Sequence, residues 1–281
     1  MIRVSYVEAG AGRGLQVLGD RLLEASKDRL AWTRFRERDI ARATDADVVY
    51  VHDTALVPFV KAVRDVPVVC HIATQQFFTG AEQASKVIVP TAFLKRAWPK
   101  AEVLWNAVPD SFSPGPPDPQ LVRKLPVVLY TGSLHQAKGT DLLVEAVRDL
   151  PCELWLVGPA DKRKEDNVTY WGQRGDLLRF YRSSNVFTLP SAAEGMSLAL
   201  LEAMQVGLPC IASDIPPNVE TLRGAGLVCA RTVPSLRAAL EELLASEERR
   251  RELGEAALGI ARTRPFSGWV DRIVEIITSC S

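Results

Sequence analysis

The sequence predicts an α/β protein built from two Rossmann-like domains that face a cleft. Short apolar runs of Val, Ile, Leu and aromatic residues alternate with segments of helical period almost from end to end. The runs are continuous rather than alternating, as expected for parallel strands that are buried on both faces. A proline-rich segment separates two stretches that each repeat this pattern. Together these observations favour two doubly wound sheets.

The predicted elements follow one another in regular order. The candidate strands are residues 2–7, 48–51, 66–70, 86–89, 127–131, 154–158, 186–189, 210–213 and 227–229. Helical segments lie between them, and one begins near Thr140, whose hydroxyl is expected to cap it. The apolar face of that helix comprises Leu142, Leu143, Ala146, Val147 and Leu150. The C-terminal segments 236–244, 249–261 and 266–277 are also predicted to be helical.

Residues 109–119 form the expected linker. Five prolines in these eleven residues exclude a helix or a central strand. The predicted domains are therefore residues 1–108 and 109–264, followed by a C-terminal helix within residues 265–281. Ligands of doubly wound sheets bind beyond the carboxyl ends of the strands, so the site is expected there.

Charge and composition exclude several classes of protein. The 34 Lys and Arg residues balance 34 Asp and Glu residues, so nucleic acid is not an expected partner. No apolar run approaches the roughly 20 residues that cross a bilayer, and the N-terminus lacks the pattern of a signal peptide. The five scattered cysteines indicate neither a zinc site nor a disulfide framework. We therefore expect a soluble, cytoplasmic protein.

The segment 189–204 carries the strongest functional signal. A strand ends there, a loop containing Glu194 follows, and a helix begins near Ser197. Glu202 is the only charged residue in the segment 195–209. A lone carboxylate in an apolar helix is costly to bury, and such groups cluster at functional sites. The alternative is that Glu194 caps the helix and Glu202 lies on its solvated edge.

The pattern P-S-x-x-E-G-x-S-L-x-x-L-E-A-M-x-x-G-x-P at residues 190–209 resembles the signature of the retaining glycosyltransferases of family 4, which have the GT-B fold. Further segments resemble that family's motifs in the same order, namely residues 105–114, 131–139, 156–158, 168–172 and 210–220. The resemblance covers residues 103–222 and is weaker in the N-terminal half, which would be the acceptor domain. It implies transfer of a hexose from a nucleoside diphosphate sugar, with UDP or GDP as the expected nucleotide.

The resemblance also implies roles for individual residues. Lys138 would neutralise the donor diphosphate as charge grows on the leaving group, together with the dipole of the helix that begins beside it. Glu202 would accept hydrogen bonds from the ribose hydroxyls, and Glu194 would hold hydroxyls of the donor sugar. The amides that approach the sugar and phosphates would be those of Gly195, Met196, Ser197 and Leu198.

One residue departs from the family pattern. Ser133 stands where the family usually has an arginine that pairs with the lysine. A hydroxyl can donate a hydrogen bond to a phosphate oxygen but supplies no charge. The diphosphate would then be held less tightly unless Arg13 or Arg174 reaches it.

The N-terminal half contributes further candidates. Residues 10–14 have G-x-G-x-G spacing, which differs from the G-x-G-x-x-G of dinucleotide-binding proteins. This loop resembles the family's first loop, so Gly12 and Gly14 are expected at the donor phosphates, with a tight turn as the alternative. His71 ends a strand, and the resemblance places it beside the reacting centre as a catalytic residue, with a satisfied edge histidine as the alternative. The last helix would cross back onto the first domain, as in the family.

Other charged or ligating residues lie outside these motifs. Asp45 and Asp47 spell D-x-D but precede a strand instead of following one, so no metal site and no cofactor are expected. His52 and Asp53 end a neighbouring strand and could serve the acceptor. A basic patch on the first domain, by analogy with some family members, is an expected surface for peripheral membrane contact; it comprises Arg34, Arg36, Arg38, Lys95, Arg96 and Lys100.

Two other functions compete with glycosyl transfer. A non-catalytic or partner-dependent subunit that binds nucleotide sugars would agree with the small first domain and with Ser133. A nucleotide-sugar epimerase would use the same fold, but it needs additional acid and base groups. The sugar, lipid or protein that accepts the sugar is not identified by the sequence.

Overall fold

A computed structural model describes residues 1–8, 13–52, 56–72 and 80–281. The chain forms two compact units, the first from residues 1–107 with 265–281 and the second from residues 108–264. Each unit contains its own sheet. Within the described ranges, no helix is long and apolar enough to cross a membrane.

The first unit is a six-stranded parallel sheet with the order β2-β1-β3-β4-β5-β6. Its strands are β1 (Arg3–Glu8), β2 (Ala31–Arg36), β3 (Val48–Val51), β4 (Val68–His71), β5 (Lys86–Val89) and β6 (Glu102–Val103). The described residues of this unit also form the helices α1 (Arg13–Ser26), α2 (Ile40–Ala43), α3 (Leu56–Val63) and α4 (Ala92–Lys95). All residues of β3 and β4 are buried, which explains their continuous apolar runs.

The second unit is a seven-stranded sheet with the order β13-β12-β11-β7-β8-β10-β9, parallel except for the β9–β10 pair. Its strands are β7 (Val127–Thr131), β8 (Glu153–Val157), β9 (Arg163–Glu165), β10 (Val168–Gly172), β11 (Val186–Leu189), β12 (Cys210–Ser213) and β13 (Leu227–Cys229). Its helices are α5 (Thr140–Ala146), α6 (Leu177–Arg182), α7 (Leu198–Val206), α8 (Pro216–Leu222), α9 (Val233–Ala245) and α10 (Glu247–Arg262).

The helix α11 (Phe266–Thr278) belongs to the first unit. Its apolar face is buried, including Trp269 and Ile273. Arg272 binds Glu102 through both Nε and Nη2, at 2.5 and 2.8 Å. Apolar burial and this two-pronged ion pair together fasten the last helix to the sheet of residues 1–107.

The expected cap of α5 is wrong. Thr140 is the first helical residue, and the N-cap is Gly139, which has a left-handed backbone with φ of 70°. The Thr140 hydroxyl instead donates to the Leu134 carbonyl, at 3.4 Å. Thr140 cannot act as the cap because the preceding turn, residues 136–138, already approaches the helix through the glycine.

Candidate functional site

The order in which the chain adds strands to the second sheet reverses between β7 and β11. The chain adds β8 and β10 on one side of β7, then returns and adds β11, β12 and β13 on the other side. Loops that leave β7 and β11 at their carboxyl ends therefore start side by side. In open α/β sheets this arrangement is the usual place for a ligand.

Lys138 and Glu194 form an ion pair at the carboxyl ends of β7 and β11. Lys138 ends the 3-10 turn after β7, and Glu194 lies in the loop after β11. The Lys138 Nζ is 2.6 Å from Glu194 Oε1, with side chains 26% and 11% exposed. A partly buried cation and carboxylate thus share one ion pair, and an anionic ligand at Lys138 would compete with Glu194 for the ammonium group.

Glu202 is buried in α7, with only 5% of the residue exposed. The Tyr181 hydroxyl donates to Glu202 Oε2 at 3.0 Å and lies 2.7 Å from Thr131 Oγ1, at the end of β7. The alternative of a solvated helix edge is therefore wrong for Glu202. Burial and the neighbouring Glu202 charge raise the pKa of Tyr181 well above its usual value, so Tyr181 stays protonated and can donate.

The N-terminus of α7 forms the floor of this region. Ser197 is the N-cap, and its hydroxyl accepts from the Leu200 amide at 3.4 Å. Gly195, Met196 and Ser197 are buried, and Leu198 is the first residue of the helix. The positive end of the helix dipole therefore lies in the same loop as Glu194.

Ser133 lies in the turn after β7 and is half-buried. Its carbonyl accepts a 2.6 Å hydrogen bond from the Tyr130 hydroxyl. Gly132 precedes it with φ of 143°, and its carbonyl lies so close to Gly158 that a Cβ there would be 1.9 Å away. The backbone of this turn is thus fixed by neighbours, while the Ser133 side chain brings no charge to it.

The other predicted residues belong to the first unit, except Arg174, which donates to Asp176 through Nε and Nη2 at 2.9 and 2.7 Å. His71 is fully buried at the end of β4, where its Nδ1 shares a 2.8 Å hydrogen bond with the Tyr50 hydroxyl. Its ring also packs against Trp269 of α11, with centroids 6.4 Å apart. Gly14 lies in the first turn of α1, whereas Gly12 and Asp53 lie outside the described residues.

His52 and His71 form a buried pair. The His52 Nδ1 donates to the His71 carbonyl at 3.3 Å, and the ring centroids are 5.1 Å apart. Burial lowers the pKa of His52 from 6.5 to about 4. Burial and the His52 charge also lower the pKa of His71, against a hydrogen bond to Asn106 that raises it. Both rings are therefore neutral at pH 7.

This pair predicts that the first unit loses stability in mild acid. Because each folded pKa is depressed, the unfolded chain binds more protons as the pH falls below about 6.5. Between pH 6 and pH 5, His52 alone should reduce the free energy of unfolding by about 1 kcal/mol, and His71 adds in the same sense. Amide exchange of β3 and β4, corrected for intrinsic rates, measures the loss.

The second unit provides the control for that measurement, since its histidine, His135, is exposed. The opening free energies of β7 and β8 should change much less over the same interval. An equal change in both units, or none in β3 and β4, would show that the buried pair does not titrate as described.

The D-x-D segment is held by basic residues. Asp47 accepts from the Arg3 amide at 2.8 Å and from Arg3 Nη2 at 3.0 Å, and Asp45 lies 3.4 Å from Arg64 Nη1. Among the described residues, no group of three or more His, Cys, Asp or Glu side chains is arranged to hold a metal ion.

Sequence comparison matches residues 125–246 to the family described as glycosyl transferases group 1. An Escherichia coli UDP-Gal:alpha-D-GlcNAc-diphosphoundecaprenol alpha-1,3-galactosyltransferase is 53% identical over 58 residues, which are 21% of this chain and 15% of that protein. The lipopolysaccharide core biosynthesis mannosyltransferase LpsB of Rhizobium meliloti is 30% identical over 158 residues, 47% of this chain and 44% of that protein. This chain therefore spans less than half of either relative.

Solved structures match over nearly the whole chain. Anabaena HepE, in complex with UDP and glucose, has a TM-score of 0.86 at 16% identity, covering 99% of this chain and 100% of that one. WaaG, a glycosyltransferase involved in lipopolysaccharide biosynthesis, has a TM-score of 0.78 at 16% identity, covering 98% and 99%. The chain therefore has the GT-B fold, and its residues 125–246 carry the sequence pattern of the group 1 glycosyl transferases.

Proposed function

We propose that this chain is a glycosyltransferase of family 4 that moves a hexose from a nucleoside diphosphate sugar to an acceptor, with retention of anomeric configuration. The observation that carries the proposal is the ion pair of Lys138 and Glu194 at the switch point of the second sheet, followed along the chain by the buried Glu202 of α7. The family pattern in residues 125–246 supports it.

In this proposal the diphosphate binds at Lys138. Breaking the glycosidic bond leaves negative charge on the departing diphosphate, and a preorganised ammonium group and helix N-terminus stabilise that charge. Lys138 supplies the ammonium, and the amides of residues 195–198 supply the helix end. No metal ion is required for this charge balance.

Glu202 and Glu194 divide the recognition of the donor. Glu202 accepts from the ribose hydroxyls, and the hydrogen bond that Tyr181 donates to Oε2 holds its carboxylate in place. Glu194 binds hydroxyls of the sugar once the phosphate has replaced it as the partner of Lys138. Before the donor binds, the ion pair holds both side chains in place. When the donor binds, Lys138 contacts the diphosphate and Glu194 contacts the sugar.

The candidate residues of the first unit are given more indirect roles in the proposal. The His71 ring is buried against Tyr50 and Trp269, so we propose that His71 shapes the end of β4 instead of touching the sugar through its ring. Gly12 and Gly14 remain proposed phosphate neighbours.

A second candidate function is supported by Ser133. Without the arginine that the family places there, the chain could bind a nucleotide sugar and require a partner subunit for turnover. That function would give donor binding without transfer by the chain alone.

The first test is a thermal-shift panel of UDP-, GDP- and ADP-sugars, without metal and then with Mg²⁺. A donor at about 100 times its Kd adds about 2.7 kcal/mol of stability. We expect a metal-independent shift with UDP- or GDP-sugars, followed by transfer to an acceptor from a screen. Binding without transfer would favour the partner-dependent subunit, conversion of the donor to a new sugar nucleotide would favour an epimerase, and no shift at all would reject the proposal.

A further inference from the structure

The loop that carries Lys138 and the loop that carries Glu194 are in direct backbone contact. The Ala192 amide donates to the Ala137 carbonyl at 2.8 Å. Gly139 lies so close to the Pro190 carbonyl that a Cβ on it would be 2.3 Å from the oxygen. The separation of the two functional side chains is therefore set by how these two loops are held together.

Arg231 bonds to both loops at once. It lies between β13 and α9. Its Nε donates to the Pro190 carbonyl at 3.0 Å and its Nη2 donates to the Gln136 carbonyl at 2.6 Å. Gln136 is two residues before Lys138, and Pro190 is four residues before Glu194. One planar guanidinium group thus spans the bases of both loops.

We propose that Arg231 is a positioning residue, which fixes the Lys138 loop against the Glu194 loop through the carbonyls of Gln136 and Pro190. We call this pair of hydrogen bonds from Arg231 the clamp. The inference rests on the proposed function, because the clamp matters for catalysis only if Lys138 and Glu194 bind the donor. The rigid fork of arginine suits two acceptors at fixed positions, whereas lysine offers one compact cation on a flexible chain.

The clamp acts on catalysis through Lys138 and Glu194. The two hydrogen bonds seen here engage Arg231 with backbone carbonyls, so its role is geometric and not that of a second cation for the diphosphate. Small errors in the placement of such groups reduce rates strongly, because charge stabilisation depends on donors fixed where the charge develops.

The experiment compares Arg231→Gln with Arg231→Lys, and uses Arg237→Gln as the matched control. Arg237 also donates to two backbone carbonyls, from its Nη1 to Arg148 at 2.6 Å and to Ala146 at 3.4 Å, but it does so at the far end of α5. Each variant is measured by amide exchange without ligand, by the Kd for the preferred UDP- or GDP-sugar, and by kcat and kcat/KM; Arg231→Ala is added for chemical rescue.

In Arg231→Gln we expect faster exchange in both residues 133–139 and 190–196, with β8 unchanged, and a fall in kcat/KM of at least about tenfold. Arg231→Lys should have a lower kcat/KM than the wild-type protein although it keeps the positive charge. Millimolar guanidinium should partly restore kcat in Arg231→Ala, an effect that a general loss of stability would not give. Arg237→Gln should leave the two loops and kcat unchanged.

The proposal is overturned if Arg231→Gln loosens neither loop or only one of them. It is also overturned if Arg231→Lys has the exchange rates and kcat of the wild-type protein, because the positive charge alone would then suffice. If the wild-type protein binds no nucleotide sugar, the proposed function fails, while the exchange measurement still decides whether Arg231 clamps the loops.

Discussion

Replacing Lys138 with methionine is expected to lower kcat by at least about a hundredfold while the protein stays folded. Methionine keeps most of the length of the side chain but removes the charge that stabilises the departing diphosphate. The loss should also appear as weaker binding of the nucleoside diphosphate alone, since the phosphates are the groups that Lys138 contacts in the proposal. Steady-state kinetics and calorimetric titration measure the two effects.

Lys124→Met is the matched control, because Lys124 is an exposed lysine at the opposite, amino end of β7. It should leave kcat unchanged. Glu194→Gln gives a second comparison, since it should weaken binding of the whole donor and spare the nucleoside diphosphate. If Lys138→Met retains wild-type turnover, or if Glu194→Gln weakens both ligands equally, the division of roles within the ion pair is wrong.

Gly139→Ala is expected to reduce the free energy of unfolding of the second unit by about 3 kcal/mol. Gly139 has φ of 70°, and an added Cβ would lie 2.3 Å from the Pro190 carbonyl oxygen. The substitution therefore combines a strained backbone at residue 139 with a steric clash between the new Cβ and the Pro190 carbonyl of the neighbouring loop. Urea unfolding measures the loss, and donor affinity should fall with it because Lys138 is the preceding residue.

Gly224→Ala separates the two contributions. Gly224 also has positive φ, at 84°, but an added Cβ would have no neighbour within 4 Å. It should lose only about 1 kcal/mol, the cost of the backbone conformation. Equal losses in the two variants would mean that the loops can separate freely, contrary to their close contact here.

The buried strands of the fold could be predicted from the sequence because burial on both faces demands continuous apolar runs. The edge strands β2, β6 and β9 were not among the predicted strands. Strand β9 is wholly exposed and polar, β6 has two residues, and β2 has only exposed and half-buried residues. Short or exposed strands of this kind carry no continuous apolar signal, whereas the edge strand β13 has an apolar run and is among the predicted strands. The central strand β10 was also missed as a strand, because its middle residues are only half-buried.

The neighbourhood of Lys138 and Glu194 could be anticipated, since both follow buried parallel strands. Tyr181 and Arg231 could not, because each reaches the site from an element distant in sequence. The one available signal for Tyr181 was the need of the lone carboxylate, Glu202, for a donor. Arg231 carries no such signal, since its partners are backbone carbonyls that any residue provides.

A crystal structure with the UDP- or GDP-sugar that gives the largest thermal shift tests the central claim most directly. We expect the diphosphate on the Lys138 ammonium group and the amides of residues 195–198, with the ribose hydroxyls on Glu202. The Lys138–Glu194 ion pair should be broken, with Glu194 turned to the sugar. A nucleotide bound elsewhere, with that ion pair intact and Glu202 contacting protein groups alone, would contradict the assignment of this site.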